Sequence, residues 1–183
     1  MNTTQYILHA LVKSAGEGQL TAQEALYRQY CKAMYNVCIR MCGNEADAHD
    51  ALQDGFITAF RKIYQLKDPN TFGGWLKRII INQCIAQGKK KFIYTQLEAP
   101  VIELAHETDE NWWTNITMAQ IHEAIKQLPD GCRQIFVLYA VEDYTHQEIA
   151  DELQLSTGTS KSQYSRARQL LQQIILKKMV ANG

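Results

Sequence analysis

The chain has 183 residues, enough for one domain of average size or two small ones. Apolar residues make up 46% of it and charged residues 21%, which supplies a core and excludes wholesale disorder. Lys plus Arg and Asp plus Glu number 19 each, so the total charge names no partner and only its distribution can.

Gly (10) and Pro (3) together reach about half their usual share. So few breakers predict an all-α protein, because a sandwich or barrel needs many more turns. The longest unbroken apolar run, 135–141, is far short of the ~18 residues that span a bilayer. The opening MNTTQYILHALVKSAGEGQ lacks the basic start and long apolar stretch of a secretory signal. A cytoplasmic protein without membrane insertion is expected. Cys31, Cys38, Cys42, Cys84 and Cys132 are odd in number and show no C-x-x-C spacing, so reduced, buried thiols are expected. Cys31, Cys38 and Cys42 have a spacing that could hold zinc together with a histidine, but their stripe coincides with an apolar helix face, which favours core.

In chain order, Leu26, Tyr30, Ala33, Val37, Cys38 and Met41 recur at three- and four-residue steps and predict a helix. Gly43 stops it, since glycine takes the left-handed cap cheaply. A second helix is predicted from about 45 to 66, with Ala48, Leu52, Phe56, Ala59, Phe60 and Ile63 on one stripe. KDPNTFGG, 67–74, reads as a loop. The next helix carries Trp75, Leu76, Ile79, Ile80 and Ile85, with Trp75 expected in the core. Further on, Met118, Ile121, Ile125 and Leu128 form a stripe that ends at Pro129-Asp130-Gly131. Helices are then predicted over 132–141, 146–153 and 159–178, the last capped by Ser156.

Charge divides the chain. Residues 69–97 contain no acid but hold Lys77, Arg78, Lys89, Lys90 and Lys91. Residues 95–115 contain no Lys or Arg but hold Glu98, Glu103, Glu107, Asp109 and Glu110. After Glu152 the acids stop, while Lys161, Arg166, Arg168, Lys177 and Lys178 follow. Two basic blocks thus flank an acidic spacer, read as an exposed linker, 95–115, between domains at 1–94 and 116–183. Trp112 and Trp113 close the spacer and are expected at the start of the next helix.

The stretch YTHQEIADELQLSTGTSKSQYSRARQLL has helix-turn-helix proportions, with a turn over 154–158. Ile149, Ala150, Leu153 and Leu155 pack its first helix and turn. On the second helix Tyr164, Ala167, Leu171 and Ile174 form one buried face. The opposite face holds Lys161, Ser162, Ser165, Arg166 and Gln169, with no carboxylate. Short hydroxyls let a helix approach DNA, and Lys and Arg reach bases or phosphates. DNA binding is therefore expected, although a repressor, an activator and a polymerase subunit all remain open. No G-x-x-x-x-G-K-[ST], H-E-x-x-H or G-x-S-x-G is present, so no catalytic role and no cofactor are expected.

Several strings then come together. EALYRQY, DAHDALQDGFITAFRKI, FGGWLKRIIINQ, QLPDGCRQIFVLY, YTHQEIADEL and GTSKSQYSRAR stand in the order of the segments of extracytoplasmic-function (ECF) sigma factors, and the chain resembles that family over nearly its whole length. The resemblance implies a two-domain, all-helical initiation factor whose partners are core RNA polymerase and the −10 and −35 elements of promoter DNA. An anti-sigma factor is a further candidate partner. It implies polymerase contact at Asp50, Gln53 and Asp54, a stripe that by residue type alone would read as a solvated face. It implies −10 contact at Asn70, Lys77, Arg78, Asn82, Lys89 and Lys90, with Lys91 adding charge. It implies −35 contact at Lys161, Ser162, Ser165 and Arg166, with Arg168 on phosphate or supporting the fold. Two positions depart from the family pattern: Ser160 stands for the usual Val and Gln163 for the usual Arg, which removes one expected phosphate contact. His146 is expected at a helix start near DNA and not as a metal ligand. The competing reading is a stand-alone helix-turn-helix transcriptional regulator, for which no dimer interface or ligand pocket is evident. A pure interaction module such as an anti-sigma antagonist fits the basic last helix poorly.

Overall fold

The structure, a computed structural model, describes the backbone of residues 3–95 and 116–181, and their side chains except 4, 89–95 and 179–181. Among the described residues lie eight α-helices and no strand: α1 (Thr3–Gly16), α2 (Leu20–Cys42), α3 (Glu45–Lys62), α4 (Phe72–Thr95), α5 (Met118–Lys126), α6 (Asp130–Ala140), α7 (His146–Leu153) and α8 (Thr157–Ala181). One-turn 3-10 segments, Ile63–Gln65 and Pro69–Thr71, join α3 to α4. No described helix is long and apolar enough to cross a membrane. The chain forms two compact units, one from Met1–Ile39 and Asn44–Ala86, the other from Arg40–Gly43 and Gln87–Gly183. The acidic spacer, with Trp112 and Trp113, lies outside the described residues apart from Thr95.

In the first unit α1 is a helix that the sequence reading left without an element. Val12 and Ala15 are its buried side chains, a short stripe in an otherwise polar segment. Helix α2 buries Leu26, Met34, Val37, Cys38 and Met41. Ala33, expected inside, is exposed, and Met34 takes the inward step because four residues from Tyr30 stays closer to one face than three does. Gly43 follows with φ +77, the left-handed conformation expected of the stop.

Asn44 caps α3 by accepting the Asp47 N–H at 2.9 Å. The α3 core is Ala48, Ala51, Leu52, Gly55, Phe56 and Ala59, with Phe60 only half-buried. A Cβ on Gly55 would land against the Ile80 side chain, so its hydrogen lets α3 and α4 cross closely. Helix α4 begins at Phe72, two residues before the end of the predicted loop. Phe72 is fully buried against Tyr30, ring centroids 5.2 Å apart, and that anchor starts the helix before the two glycines. Trp75, expected in the core, is half-buried, while Leu76, Ile80, Ile81, Cys84 and Ile85 form the inner face.

The second unit packs α8 against α5, α6 and α7. Thr117 and Gln120 form a capping box at the start of α5. Ala124, Ile125 and Leu128 are buried, Ile121 is half-buried, and Met118, placed on the core stripe by its spacing, is exposed in the first turn. The Arg133 guanidinium is buried, donates to the Leu128 carbonyl at 2.8 Å and pairs with Asp130, closing the α5–α6 corner. Cys38, Cys42, Cys84 and Cys132 are free and buried, and Cys31 is free but half-buried.

Candidate DNA-reading and polymerase-binding surfaces

The helix-turn-helix is built from its caps. Thr145 Oγ1 accepts the Glu148 N–H at 3.2 Å, and the Glu148 carboxylate accepts the Thr145 N–H at 2.8 Å, so α7 starts on a complete capping box. Gln154 ends α7 in the left-handed region (φ 57), and Leu155 donates back to the Ala150 carbonyl at 3.0 Å. Ser156 then caps α8, its Oγ accepting the Thr159 N–H at 2.9 Å, as expected, although the helix starts two residues earlier than predicted.

Helix α8 buries Ser160, Ala167, Leu171 and Ile175. The expected Ile174 is half-buried; the inward step from Leu171 is four residues, not three. On the other side Lys161 and Ser162 are exposed, and Ser165, Arg166 and Arg168 are half-buried. The Ser162 hydroxyl donates to the Thr159 carbonyl at 3.0 Å, which leaves its oxygen as an acceptor. The Arg166 Nε is buried without a hydrogen-bond partner. One turn of this face thus presents an ammonium and a hydroxyl, with a guanidinium one turn further along.

Both departures from the family pattern turn inward. Ser160, fully buried, lies 2.9 Å by its Oγ from His146 Nδ1. Gln163 is half-buried and accepts the Cys132 Sγ–H at 3.0 Å. Burial pushes the Cys132 thiol up, and Arg166 pulls it partly back. His146 stacks on Tyr139 at 4.2 Å and meets the edge of Tyr164 at 5.8 Å. Burial, then the Lys161 ammonium, hold its imidazole below the ordinary histidine value. Sequence reasoning missed these two bonds. Their signal was the spacing: four residues before Tyr164 on the same face stands Ser160, a hydroxyl that needs a partner when buried.

In the first unit the 67–74 segment is ordered by Asp68. Its carboxylate accepts both the backbone N–H and the side-chain Nδ2 of Asn70, each at 2.9 Å, and its carbonyl accepts the Thr71 hydroxyl at 2.8 Å. Asn70 is exposed. Along α4 Gly74, Arg78, Asn82 and Ala86 are exposed at four-residue steps, so Arg78 and Asn82 share one face, and Lys77 is half-buried beside it. Gly74 has open space around it, which leaves the backbone near the helix start accessible. Lys89, Lys90 and Lys91 continue α4, but their side chains lie outside the described residues.

Asp50, Gln53 and Asp54 are exposed on α3, on the side away from Leu52 and Phe56. Asp47, one turn before Asp50, is half-buried and accepts from Asn44 Nδ2 at 2.6 Å. Among the described residues no group of three or more His, Cys, Asp and Glu side chains could hold a metal ion.

Two family profiles match the chain: Sigma-70 region 2 over residues 26–91, and Sigma-70, region 4 over residues 118–171. The chain is 31% identical over 170 residues to RNA polymerase sigma factor HrpL of Pseudomonas syringae pv. syringae, covering 88% of each protein. It is 28% identical over 166 residues to ECF RNA polymerase sigma factor SigE of Mycolicibacterium smegmatis; this covers 88% of the chain but spans only 64% of that relative. Among solved structures it is similar to the sigma factor RpoE of Bartonella quintana, crystallised with the anti-sigma factor NepR. The TM-score is 0.51 at 20% identity, covering 83% of this chain and 95% of that one, a likeness of fold.

Proposed function

We infer that this chain, which belongs to the ECF group of RNA polymerase sigma factors and directs transcription initiation, divides that work between its two units. The N-terminal part, 1–94, binds core RNA polymerase through Asp50, Gln53 and Asp54 and reads the −10 element through Asn70, Lys77, Arg78, Asn82, Lys89 and Lys90. Capture of an unstacked base requires exposed polar groups beside a basic track, and the Asn70 turn leading into α4 has both. The second unit reads the −35 duplex with Lys161, Ser162, Ser165 and Arg166, while Arg168 serves the backbone or the fold. The functional boundaries follow charge: 1–94 for polymerase and −10 contact, 95–115 as linker, 116–183 for −35 contact. The chain acts in the cytoplasm by binding; the polymerase makes the bonds. An anti-sigma factor is a fitting regulator, given the complex in which the similar Bartonella protein was solved.

One observation carries this reading: α8 has a back on which Ser160, Ala167, Leu171 and Ile175 are buried, a capped start, and a front whose exposed Lys161 and Ser162 stand in a helix without a single acid. The chain mixed with core polymerase and a promoter library should yield specific transcripts that neither component makes alone. Lys161→Ala and Arg166→Ala should each weaken −35 use by about 1–3 kcal/mol while polymerase binding persists. Tight, sequence-specific duplex binding by the free chain, with no transcript from the mixture, would instead make it a stand-alone regulator.

A further inference from the structure

We propose that His146 is the positioning residue of the DNA-reading helix, acting through Ser160. The proposal rests on α8 as the −35 reader and adds what aims it. Ser160 is the fully buried polar residue in the first turns of α8, directly before Lys161 and Ser162. A buried hydroxyl without a partner is costly, and the atom that meets this one is His146 Nδ1 at 2.9 Å. A neutral imidazole with its proton on Nε2 accepts the hydroxyl proton at Nδ1; with the proton on Nδ1 it donates to the hydroxyl oxygen, so either tautomer satisfies Ser160.

The ring itself is held from two helices. Tyr139 of α6 stacks on it at 4.2 Å with planes 14° apart, and Tyr164 of α8 meets it edge-on. Tyr164 lies one turn beyond Ser160 on the same face. His146 therefore touches α8 at two successive turns and α6 once, from the first residue of α7. Rotation of α8 about its axis breaks the Nδ1–Oγ bond before it disturbs the apolar contacts at Ala167 and Leu171. Such a bond sets roll, which dispersion contacts leave soft, and roll decides where Lys161 and Ser162 point. The second inward bond, Cys132 Sγ–H to Gln163, acts in the same sense three residues on. Where the family pattern places an apolar Val, this chain has a directional polar pair.

The test is a coupled series in full-length chain with core polymerase, read as transcription from a promoter with its −35 element over the same promoter with that element scrambled. His146→Phe keeps the stack and leaves the Ser160 hydroxyl orphaned; the ratio should fall about tenfold. Ser160→Ala removes the bond but leaves no orphan, and Nδ1 of a half-exposed ring turns to water, so the ratio should fall about threefold, and no loss at all would overturn the proposal. The double variant should recover to the Ser160→Ala level, and His146→Gln, which restores a polar partner, should lie between wild type and His146→Phe. Circular dichroism at the assay temperature must show each variant folded. A loss under twofold in a folded His146→Phe overturns the proposal, as does a double variant no better than His146→Phe, which would put the ring on DNA itself. Lys161→Ala separates the underlying reading: if it leaves the −35 ratio unchanged, α8 is not the reader, whatever His146 does.

Discussion

Ser156→Ala should loosen the reading helix at the turn that carries its exposed contacts. A helix starts with four backbone N–H groups that have no intrahelical acceptor. In α8 Ser156 Oγ satisfies the Thr159 N–H at 2.9 Å and shares a second hydrogen bond with Thr159 Oγ1, also 2.9 Å. Ser156 is exposed, so truncation opens no cavity, and the cost is that of the cap, about 1 kcal/mol. In a cooperative unit of roughly 60–100 residues, 1 kcal/mol lowers Tm by about 4–8 °C. Scanning calorimetry of the full chain should show the second unit's transition fall by that amount and the first unit's stay in place. Ser156→Asp should keep the wild-type Tm, because a carboxylate caps equally well and sits at the positive end of the helix. It should nevertheless weaken promoter binding, since it places a negative charge little more than a turn from Lys161 and close to phosphates. Equal melting of Ser156→Ala and wild type would refute the cap; unimpaired promoter binding by Ser156→Asp would refute the docking of this helix end on DNA.

Asp50→Lys or Asp54→Lys should abolish pull-down of core polymerase without shifting Tm, because both side chains are exposed and reversed charge repels where it formerly attracted; a holoenzyme formed at wild-type affinity would remove α3 from the interface. Gly55→Leu should destabilise the first unit by about 1–3 kcal/mol in urea titration, because a side chain there meets Ile80, and Ile80→Ala should recover part of the loss. Burial and Lys161 depress the His146 value, so the neutral ring favours the folded state; that stability is full above about pH 6.5 and declines as pH falls through the lower folded value. Melting at pH 5 and pH 7.5 should therefore differ less for His146→Phe than for wild type, and an unchanged difference would place the titration elsewhere.

Helical periodicity made most of the fold legible, because a stripe at three- and four-residue steps states which face is dry. It went astray where two residues competed for the inward step, as with Ala33 and Met34 or Ile174 and Ile175. Capping at Ser156 and the glycine stop at Gly43 were readable because each relies on a few neighbouring residues. Helix α1 was not readable, since two inward side chains hardly make a stripe. Of the candidate site, the exposed sets on α3, α4 and α8 followed from polarity, but the inward use of Ser160 and Gln163 did not. Their partners, His146 and Cys132, come from α7 and α6; spacing from Tyr164 marks Ser160 as inward, but a pairing across helices leaves no local spacing that names the partner.

The Asp68–Asn70 pair has a consequence for promoter choice. Under the proposed −10 reading, the Asp68 carboxylate is a resident competitor for the same amide that the −10 element would engage. Generic duplex meets a negative charge there and an amide already occupied, so the turn is repellent by default. A strand engages it only by offering Asn70 a better acceptor than a carboxylate at 2.9 Å while the lysines and arginine of α4 hold its backbone nearby. On the proposed assignment of Asn70 to the −10 element, the turn would act as a threshold filter, silent on most sequence and responsive only where one base and its flanking backbone arrive together.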